Sequence, residues 1–236
     1  MIRPYVPEQL FDLSDNYKIV MENDVIIIDN IYKNYDEIYD LITNMPVPIW
    51  KYTASSHNFK DYYDCRPILK NWPRLGFPSV HLQHQNVNEI LEIIGDYYGE
   101  LRLLEPVRVY DFEFNFFKHI NLPPSSDYQF QPHLDYPYAG IVYLDKVCSG
   151  GTAIYDVDPF LNKGEHKELE KEEDNVMADV SKFKIKHLIP AKPNRLVLFK
   201  GKQIHGGYIA DHSAYLNDWR INQIMFFSYV KGERYA

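Results

Sequence analysis

The chain of 236 residues is nearly without cysteine, Cys65 and Cys148 being its whole complement. They form no CxxC pair, which excludes a disulfide framework as the source of stability, and both are expected as free thiols. Long apolar runs are also missing. Stretches such as Val25-Ile26-Ile27-Ile28 fall far short of the roughly 20 residues a spanning helix needs, so no membrane partner is expected. The N-terminus (MIRPYVPEQLFD) has no basic segment leading into an apolar one, so no secretory leader is expected and the cytoplasm is the expected location. Positive charge is in deficit: 25 Lys and Arg stand against 33 Asp and Glu, a net charge of −8. Phosphate binding draws on clustered Lys and Arg, so a nucleic-acid partner is disfavoured.

What the chain has in abundance is rings, with 20 Tyr, 13 Phe and 3 Trp. Their ordinary use is to pack a core; lining a substrate cleft is the sharper alternative. The hydrophobic share of 45% and charged share of 25% are those of an ordinary globular chain. The length suits a single domain over 1–236, with no internal repeat and no long linker.

The first part of that domain, 1–105, reads as a mixed helical support. Val25 to Asn30 is expected as a buried strand. A helix is expected over Asn34 to Met45, where Ile38, Leu41, Ile42 and Met45 recur at helical spacing, until Pro46 and Pro48 stop it. A second fits Asn86 to Gly99, with Val87, Ile90, Leu91, Ile94 and Tyr98 on one stripe. Residues 50–85 between them read as irregular loop.

From about residue 106 to 230 the period changes from 3.6 to 2. Residues 107–117 alternate, with Tyr110, Phe112, Phe114 and Phe116 on one face and Asp111, Glu113 and Asn115 on the other. Further strands fit 141–144, 152–155, 183–189, 195–199, 204–209 and 219–229, separated by Gly-, Pro- and Asp-bearing loops. The fold class expected is mainly β with flanking helices, a barrel or sandwich braced on one side. The charged run Asn162 to Asp174 reads as a solvated loop or surface helix.

Seven of the nine histidines, His57, His81, His84, His119, His166, His187 and His212, sit in polar or irregular contexts and read as surface or hydrogen-bonded groups. His133 differs. In Gln131-Pro132-His133-Leu134-Asp135 an imidazole and a carboxylate stand at i and i+2 directly before a strand, and in extended backbone such residues project to the same side. His205, after the strand 195–199 and the turn Gly201-Lys202-Gln203, can supply a second imidazole. Gly206 and Gly207 then remove side-chain bulk beside the site. Two histidines and a carboxylate occupy one face of an octahedron and leave three positions open, an arrangement suited to non-haem Fe(II) oxygenases.

The stretch from His133 to Tyr155 resembles the prolyl-hydroxylase branch of the Fe(II)/2-oxoglutarate-dependent dioxygenases. There an HxD is followed by a strand ending in a YLN-like tripeptide, here Tyr143-Leu144-Asp145, and then by a GGT-like turn, here Gly150-Gly151-Thr152. Pro193-Asn194-Arg195-Leu196-Val197-Leu198-Phe199, with His205 beyond it, is similar to that family's penultimate core strand and distal histidine. The resemblance covers about half the chain.

It implies a double-stranded β-helix core (jelly-roll, cupin-like) and iron held by His133, Asp135 and His205. It also implies 2-oxoglutarate and O2 as cosubstrates. The far carboxylate of 2-oxoglutarate needs a cation, and Arg220, whose guanidinium offers a bidentate fork, is the candidate. Its interval of 15 from the distal histidine is longer than the ten or so common in the family, with Ala210 to Asp218 as an apparent insertion. Tyr143 matches a position that in some relatives donates to the same carboxylate, and Asn222 and Asn115 are further pocket candidates. The activity implied is hydroxylation of an unactivated C–H bond. The substrate implied is a prolyl or other amino-acid residue in a peptide or protein, or a free amino acid. Asp135 favours hydroxylation over halogenation, because halogenases of the superfamily lack that carboxylate. The rival readings are a cupin-like metalloenzyme of other chemistry, for which Arg220 would lie outside the pocket, and a non-catalytic small-molecule-binding module.

Overall fold

The computed structural model describes residues 10–44, 69–70, 79–99, 101–103, 111–116, 128–130, 132–135, 137–156, 177–215 and 219–229. Cys65 and the charged run 162–174 lie outside them, as does most of 50–78. The described chain is mostly β-sheet with two α-helices. In chain order the elements are β1 (Lys18–Glu22), β2 (Val25–Asp29), α1 (Tyr35–Thr43), β3 (Leu69–Lys70), α2 (Ser79–Tyr98), β4 (Leu101–Leu103), β5 (Asp111–Phe116) and β6 (Tyr128–Phe130). They continue with β7 (Tyr138–Tyr143), β8 (Gly151–Tyr155), β9 (Met177–Asp179), β10 (Ile185–Pro190), β11 (Arg195–Lys200), β12 (His205–Tyr208) and β13 (Trp219–Tyr229).

An eight-stranded antiparallel sheet runs β1-β2-β11-β7-β13-β5-β3, with β4 also beside β13. A smaller sheet runs β10-β8-β12, and β6 pairs with β9. An isolated bridge between His133 and His205 continues the smaller sheet past β12 toward the end of β6. Both N-terminal strands are locally encoded. Asn23 and Asp24 take φ of 50° and 64°, the left-handed pair a two-residue hairpin turn demands, and they join β1 to β2. Asn194 then ties this ribbon to the turn before β11: its side-chain amide accepts from Tyr32 N and donates to Tyr32 O, at 2.9 and 2.8 Å.

The large sheet is apolar on both faces, which is why β2 and β11 read as unbroken hydrophobic runs rather than alternating ones. Its outer face, with Ile26, Ile28, Val142, Leu196, Leu198, Ile221, Met225 and Phe227, packs against Ile38 of α1 and Ile90 and Ile94 of α2. Its inner face, with Val25, Ala139, Tyr143, Val197 and Phe199, meets Ile154 and Ile189 of the smaller sheet. Each such fully buried side chain contributes about 1.5–3 kcal/mol of transfer free energy.

Several expectations are corrected. Residues 79–85, expected as loop, form the first two turns of α2, which begins at Ser79 rather than Asn86. Their Ser, His and Gln residues carry no apolar stripe, yet Leu and Gln are good helix formers and the stripe further on anchors the whole helix. Helix α1 ends at Thr43, before Met45. Strands β1, β3, β4, β6 and β9 were not expected; β1 is largely exposed and the rest are two or three residues long, so none has a readable period. Cys148 is a free thiol whose ionisation burial pushes up, and its Sγ donates to the Asp145 carbonyl at 3.3 Å.

Candidate active site

The HxD segment is fastened from both sides. His133 and His205 exchange backbone hydrogen bonds, His133 N to His205 O at 2.8 Å and the reverse at 3.0 Å, and Asp135 N donates to Gly201 O at 2.9 Å. Extended backbone then sets His133 and Asp135 on one side, as the i, i+2 spacing implied. One ligating atom from each of His133, Asp135 and His205 lies within 4.8 Å of the others. Asp135 Oδ2 is 3.5 Å from His133 Nε2 and 3.1 Å from His205 Nε2. No other cluster of three such groups occurs among the described residues.

The second contacts of His205 aim it. Its Nδ1 sits 2.8 Å from the Gln203 carbonyl, which can only accept, so Nδ1 carries a proton and Nε2 is the atom turned to the cluster. The ring is edged by Phe199, with centroids 4.6 Å apart, and is 3% exposed, whereas the His133 side chain is 50% exposed. Burial raises the Asp135 pKa, but hydrogen bonds to His133 and His205 and their charge outweigh it and hold the carboxyl well below the usual range. The donor set is therefore two imidazole nitrogens and an ionised carboxylate oxygen, which fits a divalent transition metal.

Deeper on the inner face lies a polar floor. Arg220 on β13 is 6% exposed, and among the described residues no carboxylate lies within ion-pair distance of it. The amide oxygen of Asn222 accepts from Arg220 Nη1 at 2.7 Å, with the amide nitrogen turned to the Ile221 carbonyl at 3.2 Å. The guanidinium carbon stands 5.0 Å from the centre of the Phe130 ring. Tyr143 is fully buried, and its hydroxyl is 2.6 Å from Thr152 Oγ1. Burial pushes its pKa up to about 12, against the lowering influence of Thr152 and Arg220, so at neutral pH it is a neutral phenol.

Register places these groups on one face. Asn222 pairs with Tyr143 across β13 and β7, and Arg220 with Asn115 across β13 and β5. In the same backbone register Glu113 pairs with Asn222 and Asp111 with Ile224. On the smaller sheet His205 is opposite Ile154, and Gly207 is opposite Thr152. The two glycines after His205 therefore do different things from those expected. Gly206, opposite Ala153, faces away from the His133, Asp135 and His205 cluster, and Gly207 lies at the polar floor, where a Cβ would come within 3.2 Å of Arg220 Nη2.

Gly150 and Gly151 have a physical reason as well. Gly150 takes φ of 102°, and a Cβ there would run into the Tyr208 carbonyl, so the GGT turn is a place where backbones approach too closely for side chains. His187 departs from its surface reading: it pairs with Ile154, and its Nε2 is buried without a hydrogen-bond partner. Phe130, Gln203 and Phe199 were not singled out from the sequence as site residues. Phe130 had one available signal, its place three residues before His133.

No family model matches the sequence, and no curated relative does. Among solved structures the chain is similar to the non-heme alpha ketoglutarate dependent epimerase SnoN from nogalamycin biosynthesis. The TM-score is 0.50 at 13% identity, over 87% of this chain and 76% of SnoN. That likeness shows a shared fold. An N-substituted L-amino acid dioxygenase from Burkholderia ambifaria AMMD matches at a TM-score of 0.40 and 12% identity, over 86% of this chain and 81% of that one. Its complex with alpha-KG matches at 0.36 and 13%, with the same coverage. Among the described residues no helix is long and apolar enough to cross a membrane.

Proposed function

We propose that the chain is a single-domain Fe(II)- and 2-oxoglutarate-dependent dioxygenase of the prolyl-hydroxylase-like branch, built on a double-stranded β-helix. The pairing order supports that fold: β5, β13, β7 and β11 form one wall of the barrel and β6, β12, β8 and β10 the other. The observation that carries the function is the geometry of β12. His205 ends the three-residue ligand cluster, and Gly207, the next residue on the same face, touches the level of a buried Arg220. Same-face neighbours on a strand are about 6.5–7 Å apart. That separation is comparable to an extended five-carbon diacid, so one end of 2-oxoglutarate can reach the metal while the other meets the guanidinium.

In this reading His133, Asp135 and His205 hold Fe(II), and the bound metal with 2-oxoglutarate and O2 supplies an oxidant able to take hydrogen from an unactivated C–H bond, releasing succinate and carbon dioxide. The chain's own residues do the rest. Gln203 fixes the tautomer of His205. Asp135 stays ionised and balances metal charge. Arg220 grips the distal carboxylate with its fork, and the Tyr143 hydroxyl, kept neutral by burial, sits beside it as a donor. Phe199 and the inner-face aliphatic side chains keep water from the reacting end.

The substrate we propose is a prolyl or other amino-acid residue in a peptide or protein, or a free amino acid. Arg220 on the inner face favours this reading over a cupin-like metalloenzyme of other chemistry, and the complete ligand set favours it over a non-catalytic module. Anaerobic addition of Fe(II) and 2-oxoglutarate is expected to give a weak visible charge-transfer band that His205→Ala abolishes. Absence of the band from the wild-type protein would sink the proposal. Succinate release screened over peptides and amino acids identifies the substrate.

A further inference from the structure

We infer that Phe130 is a positioning residue for the cosubstrate anchor and that Gly207 is the opening through which it acts; this rests on the reading of Arg220 as that anchor. Three elements meet here: Phe130 at the end of β6, Gly207 on β12 and Arg220 on β13. A Cβ built on Gly207 would lie 2.7 Å from Phe130 Cδ2 and 3.2 Å from Arg220 Nη2. Ring and guanidinium therefore come together in the volume that any side chain at 207 would take. The separation of 5.0 Å from the ring centre to Cζ is within the range where a cation is attracted to an aromatic face.

The guanidinium is constrained in two directions. Phe130 limits it from the ring side, and Asn222 takes the Nη1 edge at 2.7 Å. A free arginine side chain has many rotamers, and a fork aimed in advance loses less of that freedom when it closes on a carboxylate. The ring also keeps water from its side of the cation, which strengthens the charge-assisted hydrogen bonds left to the ligand.

Phe130 is itself carried on a rigid mount. Its neighbour Gln129 is fully buried and makes both amide hydrogen bonds to one residue, Nε2 to Ile209 O at 3.0 Å and Oε1 from Ile209 N at 2.7 Å. That pair of hydrogen bonds from amide to backbone fixes the short β6 strand against the segment leaving β12. A three-residue strand can then hold an aromatic ring in one place.

The test is calorimetric titration of 2-oxoglutarate into Mn(II)-loaded protein. Phe130→Leu is expected to weaken 2-oxoglutarate binding about tenfold, the size of a desolvated cation–ring contact. Phe130→Tyr restores affinity to within about twofold of wild type, because it keeps the ring face. Gly207→Ala weakens binding as Phe130→Leu does, and Mn(II) affinity and Tm stay at wild-type values in both Phe130 variants. Wild-type affinity in Phe130→Leu overturns the inference and leaves the dioxygenase reading standing. So does a joint fall of Mn(II) affinity, 2-oxoglutarate affinity and Tm that Phe130→Tyr fails to rescue, since that marks a merely structural ring. A wild-type protein that takes Mn(II) and no 2-oxoglutarate brings down the dioxygenase reading itself, and the inference with it.

Discussion

The two ends of the site differ in how far they are shut. At the candidate metal end His133 is half-exposed and Asp135 partly so, with only His205 buried, while at the polar floor Arg220 and Tyr143 are almost or wholly out of water. His133 and Asp135 hang from a bridge and a turn; Tyr143 and Arg220 stand on β7 and β13, which have paired strands on both sides. A reacting end has to admit a substrate from outside. An anchor has only to hold one small anion, and it holds better where the dielectric is low and the donors are already aimed. Accessibility and rigidity are thus divided between the two ends of the site.

That division predicts where substitutions act. The largest effect in the floor is expected from Arg220→Leu. Hydrogen bonds to a charged group contribute about 1.5–3 kcal/mol, so 2-oxoglutarate affinity should fall by roughly a hundredfold. Mn(II) affinity is expected to stay unchanged, and calorimetry reads both. A parallel loss of metal would break the comparison by showing that the two ends are one cooperative unit. Tyr143→Phe removes one neutral donor and leaves the Thr152 hydroxyl short of its partner, for a cost of about 1 kcal/mol. The expected outcome is a several-fold rise in the 2-oxoglutarate dissociation constant with the charge-transfer band retained. The smallest effect belongs to the open end. Leu134, between the two ligands of the HxD, is 49% exposed. Leu134→Ala is expected to change stability by less than about 0.5 kcal/mol, measured by denaturant titration, and to leave 2-oxoglutarate binding at the wild-type value.

How much of this was legible in the sequence depended on the distance over which each feature is encoded. His133 and Asp135 could be read because i, i+2 in extended chain is a local rule. The strands β7, β8, β11 and β13 could be read from their apolar runs and bounding turns, whereas the register that sets Tyr143, Asn222 and Arg220 on one face comes from the pairing of β13 with β7 and β5. The Gly150–Gly151 pair was visible as a motif, but its cause, contact with the backbones of β12 and β10, was not. Phe130 escaped notice because a three-residue strand carries no period. Its role exists only once β6 lies beside β12. His187 reads as polar although it lies in an expected strand, because nothing near it in sequence shows that β10 sets it opposite Ile154 with Nε2 buried.

By itself, then, the sequence determined a β-rich chain with a helical brace, the identity of three ligand-type residues and the presence of one arginine at the start of a long strand. These follow from side-chain period, backbone geometry over two or three residues, and residue chemistry. Tertiary structure alone decided that the ligating atoms gather within 4.8 Å, that Arg220 is buried beneath Phe130 and that Gly207 leaves the space for both. Those are contacts between strands far apart in the chain, and no local preference specifies which strand becomes whose neighbour; that is settled by burying both faces of one sheet at once.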